Sequence, residues 1–180
     1  MKKLLTICVI LLAFITAHTE SAWSWEYKER VDKMSGEMSR SVIGTSKNRL
    51  IGWADSTNVY FKYFCDDYNT ILLMAFDVGF HVDDVRCTKY SCENVQMARI
   101  KLDKSWLRSI PFRVSEDNNE IMELSNFDGS ITIDGAKWVV SKMKAGNNMY
   151  LEIKAFNTKG KRQIVEFDLN GFTAAINQCK

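Results

Sequence analysis

The sequence predicts a mainly β chain of the α+β kind: an antiparallel β-sandwich with an N-terminal helix, one inserted helix, a short C-terminal helix and two disulfides. Three observations point there. Most apolar runs are short and alternate with polar residues at period two, the pattern of half-buried strands. A helical period shows only near the start of the chain, after Gly135 and at the end. Four cysteines, an even number, follow an N-terminal segment with the features of an export signal.

That segment comes first. Lys2 and Lys3 make a basic start, and "LLTICVILLAFI", Leu4 to Ile15, is apolar and uncharged. A membrane-spanning helix needs roughly 20 apolar residues, so this stretch reads as a signal core rather than an anchor. Small residues follow in "TAHTESAW", with cleavage expected after Ala17, Ser21 or Ala22. Residues 1–21 are therefore read as a signal peptide and 22–180 as a single β-sandwich domain. With the signal removed there is no transmembrane segment, and the expected location is periplasmic or secreted. The 24 basic and 22 acidic residues become 22 and 21 once Lys2, Lys3 and Glu20 are lost to a cut after Ser21. Net charge near zero makes no electrostatic case for nucleic acid or for an anionic membrane surface.

From Trp23, "WSWEYKERVDKMSG" places Trp23, Tyr27, Val31 and Met34 at helical spacing, with Gly36 where a C-cap belongs. This predicts a short amphipathic helix. "RSVIGTSKNR" reads as the first strand. In "TNVYFKYFC" Val59, Phe61 and Tyr63 share one face of the next strand. "TILLMAFDVGFH" is apolar enough for a strand buried on both faces. "ENVQMARIKLD" and "IPFRV" alternate, the latter around Pro111, the only proline, which suggests an edge or strand-start position. "EIMEL" and "SITIDG" are short strand candidates joined by "SNFDG", whose Asp-Gly marks a turn. "AKWVVSKMKAG" puts Ala136, Val139, Val140 and Met143 on one face, a helix ending near Gly146. "MYLEIKAFNTKGKRQIVEFDLNG" is a hairpin, Leu151, Ile153 and Ala155 answering Val165, Phe167 and Leu169 around a Thr-Lys-Gly-Lys turn. "FTAAINQC" closes as a short helix.

Cys8 leaves with the signal, and Cys65, Cys87, Cys92 and Cys179 allow three connectivities. "CTKYSC" makes Cys87 with Cys92 the easiest closure, which leaves Cys65 for Cys179. Zinc is disfavoured by the lone mature histidine and the lack of a CxxC pair, so no metal and no cofactor are expected. No catalytic residue is assigned. His81 in "DVGFHVDD" has Asp77, Asp83 and Asp84 nearby, but a loop histidine among acids is ordinarily a surface group. The pairs Asp66/Asp67, Asp83/Asp84 and Glu116/Asp117 lie in polar loops, where turn solvation is the default. "KGKR", Lys159 to Arg162, reads as a solvated turn, with a basic docking patch as the other reading. Of the aromatics, Trp53, Trp106 and Tyr90 are the candidate binding surface.

The segment "DKMSGEMSRSVIGTSKN", a strand ending in Cys65, a late helix and the closing "FDLNGFTAAINQC" together resemble a group of small secreted bacterial and phage proteins. That group includes periplasmic accessory proteins associated with type VI secretion and, more remotely, invasion-associated locus B proteins. The resemblance implies an antiparallel β-sandwich and a Cys65 to Cys179 bridge, and the "CTKYSC" loop departs from it. The functional expectation is a non-enzymatic periplasmic binding or accessory protein whose partner is an envelope protein or cell-wall component. One specific form is a phage- or prophage-encoded protein that inhibits a lysozyme or excludes a competing phage. The rival class is a cell-wall hydrolase using the paired carboxylates.

Overall fold

The computed structural model describes residues 24–179, apart from 67–68, 88–91, 104–105, 118, 125–134 and 157. Ten strands form one antiparallel sheet. They are β1 (Trp25–Val31), β2 (Met38–Ile51), β3 (Ser56–Phe64), β4 (Ile71–Met74), β5 (Asp84–Cys87), β6 (Cys92–Leu102), β7 (Trp106–Val114), β8 (Ile121–Leu124), β9 (Asn148–Lys154) and β10 (Arg162–Asp168). Spatial order is β1-β2-β3-β4-β8-β7-β6-β9-β10, with β5 paired to β6 beside this path. Helix α1 (Gly135–Met143) precedes β9, and α2 (Phe172–Ile176) runs into a 3-10 turn, Asn177–Cys179.

The alternating positions become the inner face of a single curled sheet. Val59, Phe61 and Tyr63 of β3, Ala98 and Ile100 of β6, Met149, Leu151 and Ile153 of β9, and Val165 and Phe167 of β10 are all buried in one core. Ala136, Val139, Val140 and Met143 of α1 join the same core, as do Phe172 and Ile176 of α2. The sheet curls into a half-barrel rather than splitting into two facing layers, so the sandwich is not what forms. Both expected disulfides are present, Cys65 to Cys179 and Cys87 to Cys92.

The N-terminal helix is replaced by strand β1. Trp25 and Tyr27 alternate as well at period two as Trp23, Tyr27 and Val31 do at helical spacing, and pairing with β2 decides for the strand. Trp25 stands opposite Gly44. The indole occupies the space a side chain there would need, since a Cβ on Gly44 would meet its ring at 2.6 Å. Phe61 and Phe172 pack edge-on against the same ring, with centroids at 5.4 and 4.8 Å. Such pairs add about 1 kcal/mol each beyond burial. Gly36 keeps the left-handed backbone expected of a helix cap (φ 74°) but uses it in the β1–β2 turn. There Asp32 accepts hydrogen bonds from the backbone N–H groups of Met34 and Ser35.

β2 and β10 meet without a backbone ladder between them among the described residues. Pairing of β2 with β3 is irregular between Thr45 and Arg49. Ser46 patches the gap, its hydroxyl donating to Asn48 O and accepting from Val59 N–H. A bulge of this kind re-aims the side chains within it. Asn48 reaches β10, donating to Ile164 O and accepting from Glu166 N–H, both at 2.7 Å. Gln163 reaches back, accepting from Ile51 N–H at 2.9 Å and donating to Ile51 O at 2.6 Å. Two side-chain amides thus take the place of ladder hydrogen bonds along the seam.

Only Ile71–Met74 of the long apolar run "TILLMAFDVGFH" is strand. The chain then turns through Asp77 and Gly79, both at positive φ, and folds Ala75, Val78 and Phe80 inward as a plug. Pro111 sits within β7 rather than at its start, opposite Met97. Met97 spends its own N–H on Asp83 and its carbonyl on Arg162, so no donor is asked of Pro111 by β6. "EIMEL" forms β8, while "SNFDG" and "SITIDG" as far as Asp134 lie outside the described residues.

Candidate functional site

Antiparallel register decides which turns share an end of the half-barrel. Ile51 lies beside Gln163 near the start of β10, and Lys154, the last residue of β9, pairs with Arg162. Met74, the last of β4, pairs with Ile121, the first of β8. The β2–β3 turn (52–55), the 75–83 loop and the β9–β10 turn (155–161) therefore emerge together. The other end carries the β1–β2 turn, both helices and the Cys65 to Cys179 bridge.

The 75–83 loop is fixed from below by Gln96, a fully buried amide on β6. Its side chain donates to His81 O and to Lys154 O and accepts from Lys154 N–H at 3.0 Å. Asp83 completes the clamp, accepting from Met97 N–H and from the Lys154 ammonium. Burial opposes ionisation of Asp83, but the Lys154 ammonium and the Met97 N–H outweigh it and hold the carboxyl below its ordinary range.

On this frame sits an apolar rim. Gly52 N–H donates to Asp55 O at 2.7 Å, and a Cβ on Gly52 would lie 3.1 Å from Val78, so the tight turn is seated on the plug. Seating Gly52 leaves Trp53 outside: it is 86% exposed. Ile51 and Ile164 point outward on either side of the seam at 60% and 58% exposure. Phe76 and Phe156 stand on the neighbouring loops, Phe76 against Tyr60 with ring centroids 5.8 Å apart. Exposed large apolar side chains gathered at one end are the usual mark of a contact surface.

The three aromatic candidates do not gather in one place. Trp53 is at this end. Trp106 opens β7 opposite Leu102, at the other end of the half-barrel. Tyr90 lies outside the described residues. Ile51, Ile164 and Phe156 were not singled out from sequence, because an isoleucine on the outer face of a strand looks like any other until the seam brings two together.

The acidic groups are dispersed. Asp66 is at the Cys65 end and receives Thr70 N–H at 3.4 Å, whereas Asp83, Asp84, Glu116 and Asp117 belong to the opposite end. Asp83 is committed to Lys154 and Asp84 receives Val85 N–H. Glu116 borders an open groove of about 560 Å³ with Leu72, Cys92, Glu93, Arg113 and Glu123. There the hydrogen bond to Glu123, with further attraction from Glu93 and Glu116, raises the pKa of Arg113. Its guanidinium bonds Glu123 and lies 3.8 Å from Glu93, so one cation serves three carboxylates and the groove stays acidic. Of the paired acids among the described residues, only Glu116 lines a groove with other carboxylates, those of Glu93 and Glu123. No cluster of metal-ligating side chains occurs among the described residues, and none of their helices is long and apolar enough to cross a membrane.

Comparison with protein-family models, curated proteins and solved structures returned no match.

Proposed function

We propose that this chain is an exported, non-enzymatic binding or accessory protein of the cell envelope, which docks to an envelope protein or cell-wall component through the Trp53 end of the half-barrel. The observation that carries the reading is Trp53 itself, held 86% exposed on a turn whose backbone is anchored to a buried plug. A tryptophan on a fixed turn has little backbone entropy to lose on binding and supplies a large contact area, and such residues dominate interface energetics. The two disulfides and the apolar N-terminal segment support an oxidising location, periplasmic or secreted. Inhibition of a lysozyme or exclusion of a competing phage is a specific form that the same docking end would serve.

The test is site-specific photo-crosslinking in whole cells, using the full chain with a photoreactive residue in place of Ala54, next to Trp53. The expected result is a discrete adduct that weakens about tenfold with Trp53→Ala, as for loss of a central aromatic anchor. A control position, Ala174 on the exposed side of α2, should give none. An Ala54 pattern indistinguishable from that of Ala174 would refute docking at this end.

A further inference from the structure

The near-neutral net charge conceals a segregated surface at the docking end. On the side of the seam, Arg49, Lys159 and Lys161 are exposed and make no ion pair among the described contacts. Across the same end, the exposed carboxylates Asp77, Asp84, Glu116 and Asp117 cluster on the loops around β4, β5 and β8. These cations flank the apolar residues along the chain: Arg49, whose guanidinium donates to Ser56 O, is two residues from Ile51 on β2, and Lys161 leads into Arg162 and Ile164 on β10. Lys159 and Gly160 carry the β9–β10 turn at φ 54° and 68°, with Lys161 N–H donating to Thr158 O, so the lysines project from a tight, closed turn. Asp55 is the exposed acid on this side, and Glu152 is occupied by Arg99 and Arg162.

Two further properties matter. The patch follows the outer, convex side of a curled sheet, with a shallow hollow of about 330 Å³ beside Trp53. Along the seam its backbone is also paired: both polar groups of Ile51 are taken by Gln163, Ile164 O by Asn48, and Gly52 N–H by Asp55. A surface that must be dried against hydrocarbon needs its backbone groups paired. A convex tip bearing tryptophan and isoleucine among Lys and Arg side chains that no carboxylate among the described residues neutralises matches the interfacial zone of an anionic bilayer, where indole sits at the headgroup level and basic side chains reach phosphates.

We infer that the Trp53, Ile51 and Ile164 patch, with Arg49, Lys159 and Lys161, seats the protein on an anionic phospholipid surface. This rests on the docking reading only in that both place contact at the Trp53 end; it makes lipid, in place of a protein or wall component, the surface contacted there.

The experiment is co-sedimentation of the mature protein with vesicles of phosphatidylcholine carrying about 30% phosphatidylglycerol, and with vesicles of phosphatidylcholine alone, at low and high salt. Binding is expected only to the anionic vesicles and should fall away at high salt. The Lys159→Glu/Lys161→Glu protein should bind at least tenfold more weakly, and Trp53→Ala about tenfold more weakly. Lys33→Glu, a charge reversal at the opposite end, should bind as wild type. Circular dichroism checks that each variant is folded. Absence of binding, equal binding to the two vesicle types, or equal loss with Lys33→Glu would overturn the lipid assignment. The crosslinking result at Ala54 is read separately: a protein adduct without vesicle binding keeps the docking end and replaces lipid by a protein partner, while failure of both removes the docking end itself.

Discussion

Asp83 shows how one side chain couples charge to the shape of the docking end. Its carboxylate ties the 75–83 loop to Lys154 of β9 and to the backbone of Met97 on β6. Its folded pKa lies below the ordinary value, so its contribution to stability is fully present above the unfolded pKa, about 3.9, and is lost as pH falls through the folded value. Asp83→Asn is therefore expected to cost about 1–3 kcal/mol near neutral pH. The difference from wild type should stay level from neutral pH down to about pH 5 and shrink below about pH 4. Urea unfolding at a series of pH values checks this, and a difference unchanged at strongly acid pH would remove Asp83 from the account. Individual residues were legible in sequence where one local rule governed them. Val59, Phe61 and Tyr63 alternate and are buried, and Cys87 pairs with Cys92 across a short loop. Gln96 and Asp83 were not legible as clamps, since each serves a backbone group 58 or 14 residues away.

At the scale of elements, the seam between β2 and β10 gives the sharpest expectation. Gln163 satisfies both polar groups of Ile51, and Asn48 satisfies Ile164 O and Glu166 N–H. Each hydrogen bond is worth about 1 kcal/mol net, so Gln163→Ala and Asn48→Ala should each destabilise by about 1–2 kcal/mol. Loss should also be local. Amide exchange at Ile51 is expected to accelerate about tenfold or more in Gln163→Ala, and at Glu166 in Asn48→Ala, with Leu151 at the centre of β9 protected as before. Hydrogen exchange by nuclear magnetic resonance reads this directly; uniform loss of protection would mean that the seam is not a separate element. The hairpin of β9 and β10, helix α1 and the closing helix are all visible in sequence because each follows from its own period and turn residues. Strand β1 misleads because Tyr27 fits a helical spacing with Trp23 and Val31 as well as a strand's with Trp25, and pairing with β2, where Gly44 leaves room for the indole, selects the strand. The 71–80 run misleads for another reason: Val78 and Phe80 are apolar to fill the open end of the half-barrel, not to extend a strand.

For the whole molecule, the two disulfides have unequal work. Cys87 and Cys92 are 5 residues apart and face each other on a hairpin that β5 and β6 already form. Cys65 and Cys179 are 114 residues apart, joining the chain just after β3 to the turn that follows α2. Loop-closure entropy assigns roughly 5 kcal/mol to the long loop and about 2 kcal/mol to the short one. The long bridge also holds α2, and α2 presents Phe172 to the indole of Trp25, whose N–H donates to Asp168 O at the end of β10. Release of Cys179 thus loosens the contact by which β1, β3 and β10 meet. In contrast, release of Cys87 and Cys92 frees only β5, whose residues are exposed. The Cys65→Ser/Cys179→Ser protein is therefore expected to lose at least twice as much unfolding free energy as Cys87→Ser/Cys92→Ser, measured by urea denaturation of the oxidised proteins. It should also lose near-ultraviolet dichroism from the packed aromatics before its far-ultraviolet signal changes. Equal losses in the two variants would contradict the assignment of the long bridge as the tie between the helical end and the sheet.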